Sequence, residues 1–105
     1  AKAGYAAPSA DAQALATARS SRRAKIDRLD FIELHATATK LGDAIEVAGV
    51  DRALRAVFPS MFNNNTHGPL YLGSVKGNIG HANCAAGATG LLKACLGLAH
   101  ATAPA

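Results

Sequence analysis

Two short apolar runs, residues 29–34 and 70–75, each lead into a polar stretch, and the segment between them has helical periodicity. No other feature narrows the fold as much. The first run, Leu29-Asp30-Phe31-Ile32-Glu33-Leu34, is brief, partly β-branched and bounded by polar residues, which predicts a mostly buried strand. Residues 43–58 then set Ile45, Val47, Ala48, Val50, Leu54 and Val57 largely on one helical face, and Pro59 closes that helix. The second run is the second strand. Strand–helix–strand units are almost always right-handed crossovers between parallel strands. Both strands therefore point the same way, and their C-terminal ends share the edge where open α/β sheets bind ligands.

The flanks extend this alternation. Ser9 is placed to cap an alanine-rich helix over residues 10–24. Residues 84–101 are small and apolar nearly all round, which predicts a last helix buried on several sides. Its glycines Gly87, Gly90 and Gly97 would each cost about 1 kcal/mol relative to alanine in an exposed helix, so close packing is expected to compensate. Residues 1–8, 63–69 and 76–83 read as loops. The fold class is α/β, in the order helix, strand, helix, strand, helix.

At 105 residues the chain is one small domain or a piece of a larger one. Half of it is hydrophobic, but alanine dominates and only two tyrosines and three phenylalanines are present. The core is therefore thin, and apolar surface is expected to meet more protein. Of the net charge of +4, Arg19, Arg22, Arg23, Lys25 and Arg28 gather between the first two elements. No aromatic residues interleave with them, so a solvated helix end is favoured over nucleic-acid binding. Cys84 and Cys95 lie on one helical stretch that cannot join them, and read as buried thiols in a reducing compartment. No run approaches about 18 apolar residues, and a soluble, cytoplasmic setting without membrane contact is expected.

The topology gathers the polar chemistry. His35, Thr37 and Thr39 follow the first strand; Lys76, Asn78 and His81 follow the second. Neutral imidazole N–H groups can donate to a developing oxyanion, a nearby lysine can fix tautomer and local potential, and threonine hydroxyls can orient an amide-rich ligand arm. No serine or cysteine sits in an activated turn beside either histidine. His35, His67, His81 and His100 have no usual zinc-ligand spacing, so no metal is expected.

His35-Ala36-Thr37-Ala38-Thr39-Lys40-Leu41-Gly42-Asp43-Ala44-Ile45-Glu46 resembles the ketosynthase signature HGTGTxxGDPIE. Gly73-Ser74-Val75-Lys76-Gly77-Asn78-Ile79-Gly80-His81 resembles its partner GSVKxNIGH, and the residues from Ala85 to Ala94 continue as AAGxxGLIKA does. Gly4-Tyr5-Ala6-Ala7-Pro8 is similar to the GYTAP stretch upstream. In order and spacing the chain resembles the C-terminal part of a β-ketoacyl synthase of the polyketide and fatty-acid synthase type.

The resemblance implies a thiolase-like fold, of which residues 1–105 are a partial C-terminal half without the N-terminal half that carries the nucleophilic cysteine. It implies decarboxylative Claisen condensation of acyl and malonyl-type thioesters carried on the phosphopantetheine of an acyl carrier protein, with no cofactor held by the chain itself. The chain alone is then expected to be an inactive part of an acyltransferase and marginal or molten in isolation. The expected partners are the cysteine-bearing half, the carrier protein and, in the parent enzyme, a second copy. By position, His35 and His81 match the histidines that assist decarboxylation and stabilise the enolate, and Lys76 matches the lysine that organises the second histidine. Thr37, Thr39 and Asn78 fall to substrate binding, and Asp43 and Glu46 to support of the loop. Ala36 and Ala38 stand where the signature has glycine, Ala44 where it has proline, and Asn83 where glutamate is usual. Alanine resists positive φ, and these changes motivate an alternative: a non-catalytic remnant or scaffold that binds a partner or carrier protein.

Overall fold

The structure is a computed structural model that describes residues 9–63 and 68–103. The expected loop over residues 1–8 and most of that over 63–69, with His67 and the GYTAP-like stretch, lie outside the described residues. The chain divides into two compact units, Ala1–Arg28 with Ala38–Gly68, and Leu29–Thr37 with Pro69–Ala105.

The first unit is a helix pair. Helix α1, Ala10–Ala24, starts where Ser9 adopts an extended backbone and its Oγ accepts the Ala12 N–H at 3.3 Å, satisfying one of the donors a helix start leaves open. It ends at Lys25, whose left-handed backbone (φ 53°) lets its N–H reach back to the Arg22 carbonyl at 3.3 Å. The basic residues of this end are exposed, as a solvated helix terminus should be. Helix α2, Lys40–Val57, buries Gly49, Val50, Ala53 and Leu54, and α1 lays Ala14, Ala18 and Ser21 against it. With so much alanine the helices can only bury surface by approaching closely. Gly49 allows this, because a Cβ there would stand 2.9 Å from the Ala10 carbonyl oxygen and 3.2 Å from the Gln13 Cβ. Arg52 Nη1 reaches Asp11 Oδ1 at 2.6 Å across the pair.

Helix α2 begins three residues before the expected start at Asp43. Gly42 does not break it: Thr39, the N-cap, directs its hydroxyl into the space a Gly42 Cβ would take. Phe58 and Pro59 end α2 as expected, and a single turn, α3 at Ser60–Asn63, follows. Arg55 binds both carboxylate oxygens of Asp51 at 3.0 and 2.9 Å, and its guanidinium carbon lies 4.4 Å from the centroid of the Phe62 ring. The carboxylate hydrogen bond raises the guanidinium pKa, which leaves Arg55 charged at every accessible pH.

The second unit is a two-stranded parallel sheet with one long helix. Strand β1, Phe31–Glu33, pairs with β2, Tyr71–Gly73, in the register Phe31 to Tyr71, Ile32 to Leu72 and Glu33 to Gly73. The parallel orientation is the expected one. Each strand is three residues, shorter than the apolar runs of 29–34 and 70–75, because pairing stops where the chains leave for their loops: Tyr71 N–H to Asp30 O and Leu34 N–H to Gly73 O are the last bonds at either end. A helical turn, α4 at Lys76–Ile79, occupies the stretch expected to be wholly loop; one turn is too short to show a period. A 3₁₀ turn at Asn83–Ala85 leads into α5, Ala86–Ala99, which packs on β1.

Helix α5 corrects two expectations. It buries only Gly90 and Lys93 among its residues, while Leu91, Leu92, Leu96 and Leu98 are exposed, Leu98 to 83%. A two-stranded sheet is too narrow to cover more than one stripe of a helix that is apolar nearly all round. For the same reason Cys95 is an exposed free thiol, and Cys84, in the 3₁₀ turn before α5, is exposed as well, so neither is the buried thiol expected. Of the glycines, Gly90 does meet a close neighbour: a Cβ there would stand 3.0 Å from the Glu33 Cγ, whereas one at Gly87 would meet nothing within 4 Å. No helix among the described residues is long and apolar enough to cross a membrane.

Candidate active site

Parallel pairing brings the C-terminal ends of β1 and β2 to one edge of the second unit, so the chain leaves both strands on the same side. His35 lies two residues beyond β1. The rings of His35 and His81 meet edge to face, with centroids 5.7 Å apart and planes at 84°. Lys76, half-buried at the start of α4, lines a cavity of about 420 Å³ together with Glu33, His35, Gly87, Gly90 and Leu91. His35, distant in sequence, thus converges with Lys76 and His81 as the topology predicts.

The backbone around His81 is specialised. Gly80 has φ 76° and ψ −175°, a region that side chains other than glycine's essentially do not enter. Beyond the ring, Asn83 adopts φ 47°, which asparagine tolerates better than most residues, and its N–H donates to His81 Nδ1 at 3.1 Å. An Nδ1 that accepts is unprotonated, so the neutral ring carries its proton on Nε2 and presents a donor there. The asparagine in place of the usual glutamate suits this backbone.

The loop after β1 has the conformation that glycine would favour. Ala36 and Ala38 both take positive φ, 31° and 62°. Alanine thus adopts a glycine-type backbone at both positions, at a cost of roughly 1–2 kcal/mol for a left-handed alanine. Thr37, half-buried, lies between them. Thr39, Asp43 and Glu46 belong to the first unit, at the start of α2, where Thr39 is the N-cap and Asp43 contributes negative charge to the first turn.

Asn78 faces a different space from His35 and Lys76. It lines a second cavity of about 510 Å³ with Val75, Ile79, Leu92, Lys93 and His100, and its Oδ1 accepts a hydrogen bond from Lys93 Nζ at 3.2 Å. Lys93 is 8% exposed and is the one charged residue of α5. The motifs matched it as the lysine of AAGxxGLIKA without giving it a role, although a single cation in an otherwise uncharged helix was the available signal. Glu33 was passed over, hidden in an apolar strand run.

The whole chain, residues 1–105, matches the β-ketoacyl synthase C-terminal domain family. This chain belongs to that family. The ketosynthase segment is 42% identical to a highly reducing polyketide synthase of Emericella nidulans over 96% of its own length and 4% of that protein's. It is 40% identical to a 6-methylsalicylic acid synthase of Aspergillus niger, over 96% of its length and 6% of the relative's. With a phenolphthiocerol/phthiocerol polyketide synthase of Mycobacterium tuberculosis it shares 44% identity over its full length and 7% of the relative's. The segment therefore spans only a small fraction of these relatives. No solved structure matches it.

Proposed function

We propose that this chain supplies the decarboxylation and oxyanion half of a ketosynthase site in polyketide biosynthesis, within a thiolase-like fold completed by a cysteine-bearing segment. The observation that carries the reading is the meeting of His35 and His81 beside the cavity that Lys76 lines, with His81 held in its Nε2–H form by the Asn83 amide. An acyl group on the cysteine and a malonyl-type thioester on the phosphopantetheine arm of a carrier protein are the substrates. As the bond between the carboxylate and the α-carbon breaks, carbon dioxide leaves and the electron pair passes toward the thioester oxygen. Nε2–H groups aimed at that oxygen stabilise the enolate where charge develops. The α-carbon then attacks the acyl carbon, the bond to the cysteine sulfur breaks, and a β-ketoacyl thioester leaves on the carrier arm.

Lys76 contributes positive potential at the cavity, and Thr37 offers a hydrogen bond to the amide-rich arm; Asn78, bonded to Lys93 in the separate cavity, supports that lysine instead. The acidic Asp43 and Glu46 support the start of α2, close in sequence to the Thr39 cap. Dimerisation and docking of the carrier protein belong to the assembled enzyme.

The test is reconstitution. Mixed with a cysteine-bearing ketosynthase segment, the chain is expected to condense acyl and malonyl thioesters, and His81→Ala to lower the rate by about 100-fold or more, the scale of losing one oxyanion donor. Condensation that survives His81→Ala in a folded complex overturns the assignment.

A further inference from the structure

Glu33, the last residue of β1, ties the two active-site loops together through its side chain. Its Oε1 accepts the Val75 N–H at 2.5 Å, and Val75 immediately precedes Lys76. Among the described residues its Oε2 is buried without a hydrogen-bond partner. A carboxylate in such a place is costly, since a buried polar group without a partner forfeits its hydration. Space has nonetheless been made for it. The carboxylate side chain lies against Gly90 of α5, where a Cβ would stand 3.0 Å from the Glu33 Cγ and 3.6 Å from Oε1. Glu33, His35 and Lys76 line the same cavity.

We propose that Glu33 is a positioning residue that acts through Lys76, an inference that rests on the ketosynthase reading above. The bond to the Val75 amide holds the backbone entering Lys76 against the end of β1, two residues from His35. It thereby fixes the distance of the lysine ammonium from the histidine that stands over the same cavity. Reach is the critical property. Shortening the side chain by one methylene leaves the charge but withdraws Oε1 from the amide, whereas glutamine keeps both reach and an acceptor oxygen. Gly90 is the space that admits this side chain.

The experiment uses the assembled ketosynthase, with malonyl-thioester decarboxylation followed as carbon dioxide release. Glu33→Ala and Glu33→Asp are expected to lower kcat by at least about tenfold, the scale expected when a reacting group is displaced by a fraction of an ångström to 1 Å, with KM changed by less than about threefold. Glu33→Gln is expected to stay within about threefold of the parent. In a Lys76→Ala background, adding Glu33→Ala is expected to change kcat by less than about twofold, because residues that act as one unit are not additive. A parent-like Glu33→Asp, a Glu33→Gln as impaired as Glu33→Asp, or losses that multiply in the double variant overturns the proposal. Should Glu33→Ala not fold, the Asp and Gln variants decide. If Lys76→Ala and His81→Ala themselves leave decarboxylation intact, it is the underlying site assignment that falls, a result distinct from failure at Glu33 alone.

Discussion

Four residues on positive φ, Ala36, Ala38, Gly80 and Asn83, shape the loops that carry the two histidines, and they are not equivalent. Gly80 combines φ 76° with ψ −175°, and a Cβ there would meet nothing within 4 Å. Gly80→Ala therefore costs backbone conformation alone, about 1–3 kcal/mol, and relief would come by turning His81 away from the Asn83 amide. Its expected signature is condensation activity lost out of proportion to stability, read as kcat beside a denaturant midpoint. Ala36 and Ala38 run the comparison in reverse. Glycine at both positions removes the left-handed alanine cost of roughly 1–2 kcal/mol each and gives back part of it, about 0.5–1 kcal/mol each, as unfolded-state entropy. The double variant is expected to be modestly more stable and at least as active; a clear drop in both would mean that these alanines are adapted to the loop. The sequence already marked these positions as alanine in place of glycine, but only the dihedrals show that the alanines adopt positive φ.

Among elements, glycine position decides the sign of a mutation. Gly49 of α2 stands 2.9 Å, in Cβ terms, from a backbone carbonyl of α1, which cannot rotate out of the way. Gly49→Ala gains about 1 kcal/mol of helix propensity yet is expected to destabilise the pair by about 1–3 kcal/mol through overpacking. Gly87→Ala in α5 meets no neighbour and is expected to gain most of the propensity term, so urea midpoints for the two should move in opposite directions. The legibility of the fold follows the same physics. Helix α1 was readable to its ends because Ser9, the alanine run and the basic last turn agree locally. The parallel strands were readable from alternation, since topology leaves few choices. The turn at Lys76–Ile79, the early start of α2 and the roles of Glu33 and Lys93 were not. Each depends on a contact distant in sequence or on a backbone angle, and neither leaves a period in the chain. At the site, the motifs named His35, Lys76 and His81 and the strand order implied their convergence. The sequence did not reveal that Asn78 turns to Lys93 in a separate cavity.

For the molecule as a whole, the governing fact is that α5, the most apolar of its long helices, leaves its leucines exposed. Leu91, Leu92, Leu96 and Leu98 are each at least half exposed, and Tyr71 and Leu72 of β2 are exposed as well. Fully burying a leucine is worth about 1.5–3 kcal/mol, comparable in sum with the entire stability of a typical small domain. The core of the first unit is small, with Ala14, Ala18, Val50, Ala53, Leu54 and Phe58 as its buried apolar side chains among the described residues. The isolated chain is accordingly expected to unfold broadly, to bind a hydrophobic dye and to show weak near-ultraviolet circular dichroism. Adding a cysteine-bearing ketosynthase segment should sharpen the transition, suppress dye binding and raise the midpoint in a concentration-dependent way, because a partner that binds only the folded form stabilises it by mass action. Leu92→Ser together with Leu96→Ser tests whether that face is what the segment covers. On the isolated chain the pair should lower dye binding with little loss of structure, while in the mixture it should weaken association by several kcal/mol. A sharp, dye-silent melt of the unmodified chain alone would show instead that α5 is stable with its leucines in water.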